Sequence, residues 1–268
     1  MAHAFGNDAR CAKSPDDWTS EQLEAYNIAI REQNQSIFFD GALPDYHGPA
    51  GFIQYENRIQ GLDPDSLSLM KHLDLLEDTR DEGGPDTGDL VEFVATLVRT
   101  LGYETEDALV QTYKAVPLVI CGAPTPATAD ACLLDTNTKT IQLLIHEDKT
   151  HVKPYNEEAA LVAQAIGAFQ KNNRRRVDDM LLEPLNLQVI PGIIMLGSLP
   201  KFYKIPITAE LDRCVRHGEW PTVKTTVLRH TPRLPGSTNS GMRTLDNREF
   251  LLRCFEGFKR YVLHPEQS

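Results

Sequence analysis

The chain has 268 residues, of which 41% are hydrophobic, and its formal net charge at pH 7 is −11. This length allows one large domain or one domain with additions, and the hydrophobic fraction is sufficient for a core. No apolar run approaches the ~18 residues of a membrane span, and the N-terminus lacks the basic and apolar regions of a secretory signal. The five dispersed cysteines, without a Cys-x-x-Cys pair, indicate free thiols in a reducing compartment. We therefore expect an intracellular protein, cytoplasmic or nuclear, with no membrane association.

Charge is distributed unevenly along the chain. Residues 1–148 contain 9 Lys and Arg against 26 Asp and Glu, whereas residues 149–268 contain 18 against 12. The overall acidity argues against a protein that binds nucleic acid over its whole surface. The half that begins at Lys149 is the part expected to bind anions.

Residues 1–85 are expected to form a helical and loop-rich extension. Thr19 and Gln22 fit a capping box that opens a helix reaching about residue 33. A second helix is predicted over 64–77, because apolar residues recur there at helical spacing. The acidic, Gly-rich stretch 78–88 is the best candidate for a flexible junction. We therefore place a boundary at residues 85/86, with the main domain over 86–268.

The main domain begins with a pattern of helix, three strands, helix and strand. The helices are predicted over 89–103 and 156–172, and the strands over 113–121, 130–135, 141–149 and 188–196. Further elements are a strand at 202–207, a helix at 209–218, a strand at 223–229 and a closing helix at 247–262. This order predicts an α/β fold in which a mixed sheet is flanked by helices.

The stretch 141–149 begins as an apolar run and ends in charged residues. Alternate side chains of a strand share a face, so Glu147 and Lys149 stand side by side at the end of the more apolar face. Such a placement costs desolvation energy, a cost often found where chemistry is done. Asp130 lies 17 positions before Glu147 and can reach the same end of the sheet from an adjacent strand. Asp135, beside the turn, is its rival.

Asp130, followed on the next strand by Glu147-x-Lys149 and flanked by helices, resembles the signature of the PD-(D/E)XK, or restriction-endonuclease-like, nuclease superfamily. The resemblance covers about residues 86–208. More narrowly, the Glu-Asp-Lys strand, Pro-Gly-Ile-Ile-Met at 191–195 and Phe-Tyr-Lys-Ile-Pro at 202–206 resemble a set of fungal proteins. The superfamily implies a restriction-endonuclease-like α-β-β-β-α-β core. It also implies Mg²⁺- or Mn²⁺-dependent hydrolysis of phosphodiester bonds in DNA or RNA.

The resemblance assigns roles to four residues of the strand ends. Asp130 and Glu147 would supply carboxylate ligands to the metal, and the carbonyl of Asp148 could supply a third oxygen. Lys149 would orient the attacking water or stabilise charge in the transition state.

Both flanking helices carry further candidates. The acidic residue that the superfamily often has on the first helix would be Glu92, with Asp89 as the alternative. Gln164 on the second helix matches a glutamine that some members place near the site, although the tyrosine expected four residues later is Ala168. Packing in the core is the alternative interpretation of Gln164.

The basic run Arg174-Arg175-Arg176 ends the second helix. Basic residues complement the dipole at a helix C-terminus, or these arginines contact the phosphates of a nucleic acid. Two functions stay open: a metal-dependent nuclease, favoured by the acidic pair with its lysine, and an inactive nuclease-like binding or regulatory module, favoured by the acidic composition. The sequence gives no P-loop, dinucleotide fingerprint or nucleophile elbow, and it does not indicate an oligomeric state.

Overall fold

The computed structural model describes residues 9–81, 87–148, 156–237 and 240–263. The strands are β1 (Ile28–Glu32), β2 (Ala108–Ala115), β3 (Leu118–Ile120), β4 (Ala123–Thr125), β5 (Thr128–Asp135), β6 (Ile141–Glu147), β7 (Leu187–Leu196), β8 (Leu199–Thr208) and β9 (Thr225–His230). The helices are α1 (Ser20–Ala25), α2 (Gln35–Phe38), α3 (Ala50–Gln54), α4 (Pro64–Asp81), α5 (Thr87–Thr100), α6 (Glu157–Asp178), α7 (Ala209–His217) and α8 (Leu245–Leu263).

A seven-stranded mixed sheet has the order β1-β9-β8-β7-β6-β5-β2, and β3 and β4 form a separate hairpin. In the large sheet, β1 is parallel to β9 and β6 is parallel to β7, while the other neighbours are antiparallel. Strands β1, β6, β7 and β9 therefore end where β5 and β8 begin. We call this the top end of the sheet and the opposite one the bottom end.

Each face of the sheet is covered by its own layer of helices. Along β6, Leu143 and Ile145 belong to the hydrophobic cluster that contains α5 and α8, whereas Leu144 belongs to the cluster around α6. The alternation of a strand delivers these side chains to opposite faces. Because both faces are covered, the strand is apolar on both sides, and the predicted α/β fold with a mixed sheet flanked by helices is confirmed at this level.

The N-terminal segment differs from its prediction. The capping box at Thr19 is present, but α1 ends at Ala25, so the helix predicted to residue 33 is wrong beyond this point. Asn27 has a φ of 53°, a left-handed conformation that Asn tolerates better than most residues. The β-branched Ile28 and Ile30 then favour a strand, and β1 pairs with β9. The segment thus contributes an edge strand to the sheet.

Residues of the described segment 9–81 share a hydrophobic core with the main domain. Phe52 and Leu69 belong to the same buried cluster as Phe93 and Leu97 of α5. The junction predicted over 78–88 is helical up to Asp81 and again from Thr87. Residues 82–86, which contain the predicted boundary, lie outside the described residues.

The strand predicted over 113–121 is divided in two. Strand β2 begins earlier, at Ala108, and ends at Ala115, and β3 starts after Pro117. Proline has no N–H to donate to a ladder, which accounts for the break. The later predicted elements are present with shifted ends. Among the described helices, none combines the length and apolar character needed to cross a membrane.

Candidate active site

Asp130 and Glu147 meet at the top end of the sheet. Ala131 of β5 pairs with Ile145 of β6, so that Asp130 reaches the last residues of β6. The backbone N–H of Glu147 donates to Oδ2 of Asp130 at 2.9 Å. Asp130 is 6% exposed and Glu147 is 2% exposed. The strand pairing therefore brings two buried acidic residues to the same end of the sheet, with the Asp130 carboxylate against the backbone of Glu147.

Both residues line a small cleft between the sheet and α5, whose volume of about 10 Å³ is roughly that needed by one water molecule. The helix contributes Leu90, Val91 and Val94 to its wall. An apolar wall lowers the local dielectric, which strengthens the interaction of the carboxylates with any cation that enters. Charges in such a position are costly unless they are compensated.

His146 is a neighbour of Asp130 that the sequence analysis did not select. Its Nδ1 lies 3.1 Å from Oδ2 of Asp130, and the ring is almost completely buried. Gln164 of α6 is also buried, with Nε2 3.4 Å from the same Nδ1 and donating to the carbonyl of Thr128 at 3.3 Å. A proton on Nδ1 would be donated to Asp130. His146 therefore supports the carboxylate from the α6 side of the sheet, and Gln164 lies beside the same ring nitrogen.

Strand alternation places His146 and Glu147 on opposite faces of β6. Asp130, however, lies at the start of its strand and contacts both the backbone of Glu147 and the ring of His146. The antiparallel register, in which 131 opposes 145, was the signal that could have identified His146.

Asp148 continues β6 beyond its last ladder residue. Its backbone N–H donates to the carbonyl of Met195 on β7 at 2.9 Å, and the residue is buried. This hydrogen bond holds the backbone of Asp148 against β7. Lys149, the predicted catalytic lysine, lies outside the described residues.

Glu92 is exposed and is not among the residues that line the cleft. Successive residues of a helix are separated by ~100°, so Glu92 points away from Leu90 and Val94, which do line it. Asp89 is half-buried and is likewise absent from the lining. Glu92, the predicted acidic residue of α5, therefore faces solvent and not the cleft.

Arg174, Arg175 and Arg176 lie near the bottom end of the sheet. Two residues before them, Asn172 bonds to the backbone of Ile141, the first residue of β6. Glu147 is the last residue of the same strand, six positions further on, which corresponds to roughly 20 Å. Arg175 pairs with Asp179, and Arg176 donates to the carbonyl of Glu183 at 3.1 Å. The structure therefore does not bring these arginines to the carboxylates.

Asp135, the rival of Asp130, lies at the far end of β5. Its Oδ1 accepts hydrogen bonds from the backbone N–H groups of Asn137 at 2.9 Å and Thr138 at 2.7 Å. These bonds stabilise the turn between β5 and β6. Asp130 is consequently the β5 carboxylate beside Glu147.

The donor set of the cleft suits a hard divalent cation. Within the described parts of the chain, no group of three or more His, Cys, Asp or Glu side chains is arranged to hold a metal. Mg²⁺ is often held by one or two carboxylates while it keeps several waters, and Asp130 and Glu147 supply two. Asp130 and Glu147 are therefore the residues that would hold Mg²⁺ or Mn²⁺, and water would have to complete the coordination.

The geometry defines a pair of buried carboxylates at one end of the sheet of an α/β protein. No family model matches the chain, and no curated protein matches it either.

Proposed function

We propose that this protein is a divalent-metal-dependent nuclease that hydrolyses phosphodiester bonds of DNA or RNA, with its active site at Asp130 and Glu147. The observation that carries the proposal is the hydrogen bond from Glu147 to Asp130 at 2.9 Å. It joins the two carboxylate-bearing residues of the motif at one cleft.

The order of the elements supports a restriction-endonuclease-like core. Helix α5 precedes three antiparallel strands, β2, β5 and β6, and α6 precedes β7, which is parallel to β6. This is the helix, three strands, helix and strand that the resemblance implies. It places both motif strands next to each other in the interior of the sheet.

The chain's own groups have separate roles in this proposal. Asp130 and Glu147 would hold the cation, and His146 holds the Asp130 carboxylate in position. The apolar wall of α5 limits bulk water around the reacting phosphate. Lys149 donates to the water or to the phosphoryl oxygens as negative charge develops. The bound cation supplies Lewis acidity and a more acidic water.

A second function is favoured by the contacts of Asp130. Its Oδ2 already faces the N–H of Glu147 and the ring of His146, an arrangement that also suits a polar network with a structural role. In that case the fold is a nuclease-like binding or regulatory module, and it binds a partner without cleaving it.

The test combines metal binding with cleavage. Mn²⁺ should raise the melting temperature of the wild type by mass action, and the protein should then cleave plasmid, single-stranded DNA or RNA. Glu147→Gln should lose both properties. The matched control is Glu92→Gln, which removes an exposed carboxylate from the neighbouring helix and should retain both.

The outcomes separate the two functions. Equal cleavage by wild type and Glu147→Gln contradicts the proposed site. Failure of the wild type to cleave any of the three substrates contradicts the nuclease, and binding of uncleaved nucleic acid by the same sample then supports the second function.

A further inference from the structure

A second cavity opens at the top end of the sheet, beyond the ends of the parallel strands β1 and β9. Its volume is about 400 Å³, and its lining includes Gln33, Gln35, His230 and Arg233. Clefts outside the carboxyl ends of parallel strands are frequent ligand sites in α/β proteins. All of its lining residues carry polar or charged side chains, in contrast to the apolar residues that α5 places beside Asp130.

His230 forms one side of this pocket and is held in place by its neighbours. Its Nδ1 lies 3.0 Å from the carbonyl of Gln33, which can only accept, so Nδ1 carries a proton. The ring stacks on Phe38 with centroids 5.5 Å apart and meets the edge of Phe39 at 5.2 Å. Burial lowers the pKa of His230, which favours the neutral ring. The pocket is therefore built on an ordered aromatic cluster.

Glu32, the acidic residue of the pocket lining, repels an anion less than an unpaired carboxylate would. Glu32 accepts a hydrogen bond from Nε of Arg229 at 2.6 Å and another from the backbone N–H of Thr231 at 2.8 Å. Its charge is thus compensated by an ion pair. Arg233 is exposed on the same lining and supplies a cation for a phosphate.

Three consecutive amide side chains lie along the pocket. Asn34 uses its Oδ1 to cap α2 through the N–H of Ile37. The side chains of Gln33 and Gln35 make no hydrogen bond to other parts of the chain that the structure describes, and they keep both donor and acceptor groups for a ligand. Glutamine and asparagine amides pair with the edges of nucleobases.

The pocket and the carboxylate pair share one end of one sheet. Strand β9 is separated from β6 by β8 and β7, and β1 is separated from β5 by four strands. At ~4.8 Å between strands, the two sites lie roughly 14–24 Å apart. At ~3.4 Å per stacked nucleotide, that distance corresponds to about four to seven nucleotides, or fewer if the strand is extended.

We propose that this pocket binds one nucleotide of a single-stranded nucleic acid whose scissile bond lies at Asp130 and Glu147. The amides of Gln33 and Gln35 contact the base, and Arg233 contacts the phosphate. The inference rests on the proposed function, and it makes single-stranded DNA or RNA the substrate class.

The experiment compares oligonucleotides of two lengths, about two and about twelve nucleotides, whose binding to the full chain is measured by fluorescence anisotropy with Ca²⁺ in place of Mn²⁺. The longer one should bind more tightly because only it can reach both sites. Gln35→Ala and Arg233→Gln should each weaken the longer oligonucleotide by about tenfold and so reduce its advantage over the shorter one.

Lys224→Gln is the matched control, because it removes one exposed positive charge near the opposite end of β9. Equal binding of both lengths by the wild type overturns the inference, and so does an Arg233→Gln variant that behaves like the control. Cleavage of the short oligonucleotide with Mn²⁺ is measured separately. If the wild type cleaves but the pocket variants bind like the wild type, the pocket is wrong and the nuclease stands. If the pocket variants weaken binding but the wild type does not cleave, the pocket stands and the nuclease is contradicted.

Discussion

The two ends of strand β6 differ in how their backbone groups are satisfied. At the bottom end, Ile141 bonds to the neutral amide of Asn172, through Oδ1 at 2.7 Å and Nδ2 at 2.9 Å. At the top end, the N–H of Glu147 bonds to the carboxylate of Asp130. A neutral amide can satisfy the backbone groups of a strand end without burying a charge. The buried carboxylates at the top end therefore carry a desolvation cost that hydrogen bonding of the strand end does not require. That difference is the reason for proposing the active site at the top end.

The largest expected effect is on cleavage. Lys149→Ala should reduce the rate by a factor on the order of 10²–10³, by analogy with the loss of one charge-stabilising donor. Mn²⁺ binding should persist because lysine is not a ligand for a hard cation. The measurement is single-turnover cleavage of single-stranded DNA and RNA with Mn²⁺.

Lys139→Ala is the control for this change, since it removes an exposed lysine from the turn at the bottom end. It should cleave like the wild type. A Lys149→Ala variant with wild-type cleavage would show that the chemistry takes place elsewhere.

The next effect should appear in stability at the bottom end. Asn172→Ala leaves the buried N–H and C=O of Ile141 without their partner, and we expect a loss of about 1–3 kcal/mol in the free energy of unfolding. Urea denaturation measures this loss. Asn57→Ala, at an exposed position, should change the midpoint little. Cleavage per folded molecule should not change in either variant, and a selective loss of cleavage in Asn172→Ala would contradict the division between the two ends.

Strand alternation explains why the carboxylate pair could be predicted. The run 141–147 is apolar on both faces, and its pairing with β5 follows from a short turn. His146 was missed because the sequence does not give the register of β5 against β6: with Ala131 opposite Ile145, Asp130 stands opposite His146 and shares its face.

Positions that depend on distant packing could not be predicted. The exposure of Glu92 depends on the rotation of α5 against the sheet, and the place of the arginines depends on the path of α6 across it. Strand β1 was hidden because its partner, β9, lies almost the whole chain away. Local periodicity contains none of this information.

A smaller effect is expected from the arginines. Replacing Arg174, Arg175 and Arg176 by Gln should leave the affinity for a short oligonucleotide and its salt dependence unchanged, because these residues lie roughly 20 Å from the carboxylates. Binding titrations at several salt concentrations test this. A flatter salt slope would show that the bottom end contacts phosphates after all.

The smallest effect concerns pH and the pocket at His230. Burial lowers its pKa below the ordinary 6.5 and the Arg233 charge acts in the same direction, while the Gln33 carbonyl and Glu32 oppose the shift. Below pH 6.5 the unfolded chain therefore binds a proton that the folded chain does not. Stability rises with pH through this window and is lost as pH falls, by at most about 1.4 kcal/mol per pH unit. His230→Gln should reduce this acid sensitivity, measured by urea denaturation between pH 5 and 7; an unchanged slope would mean that folding does not lower the pKa of His230.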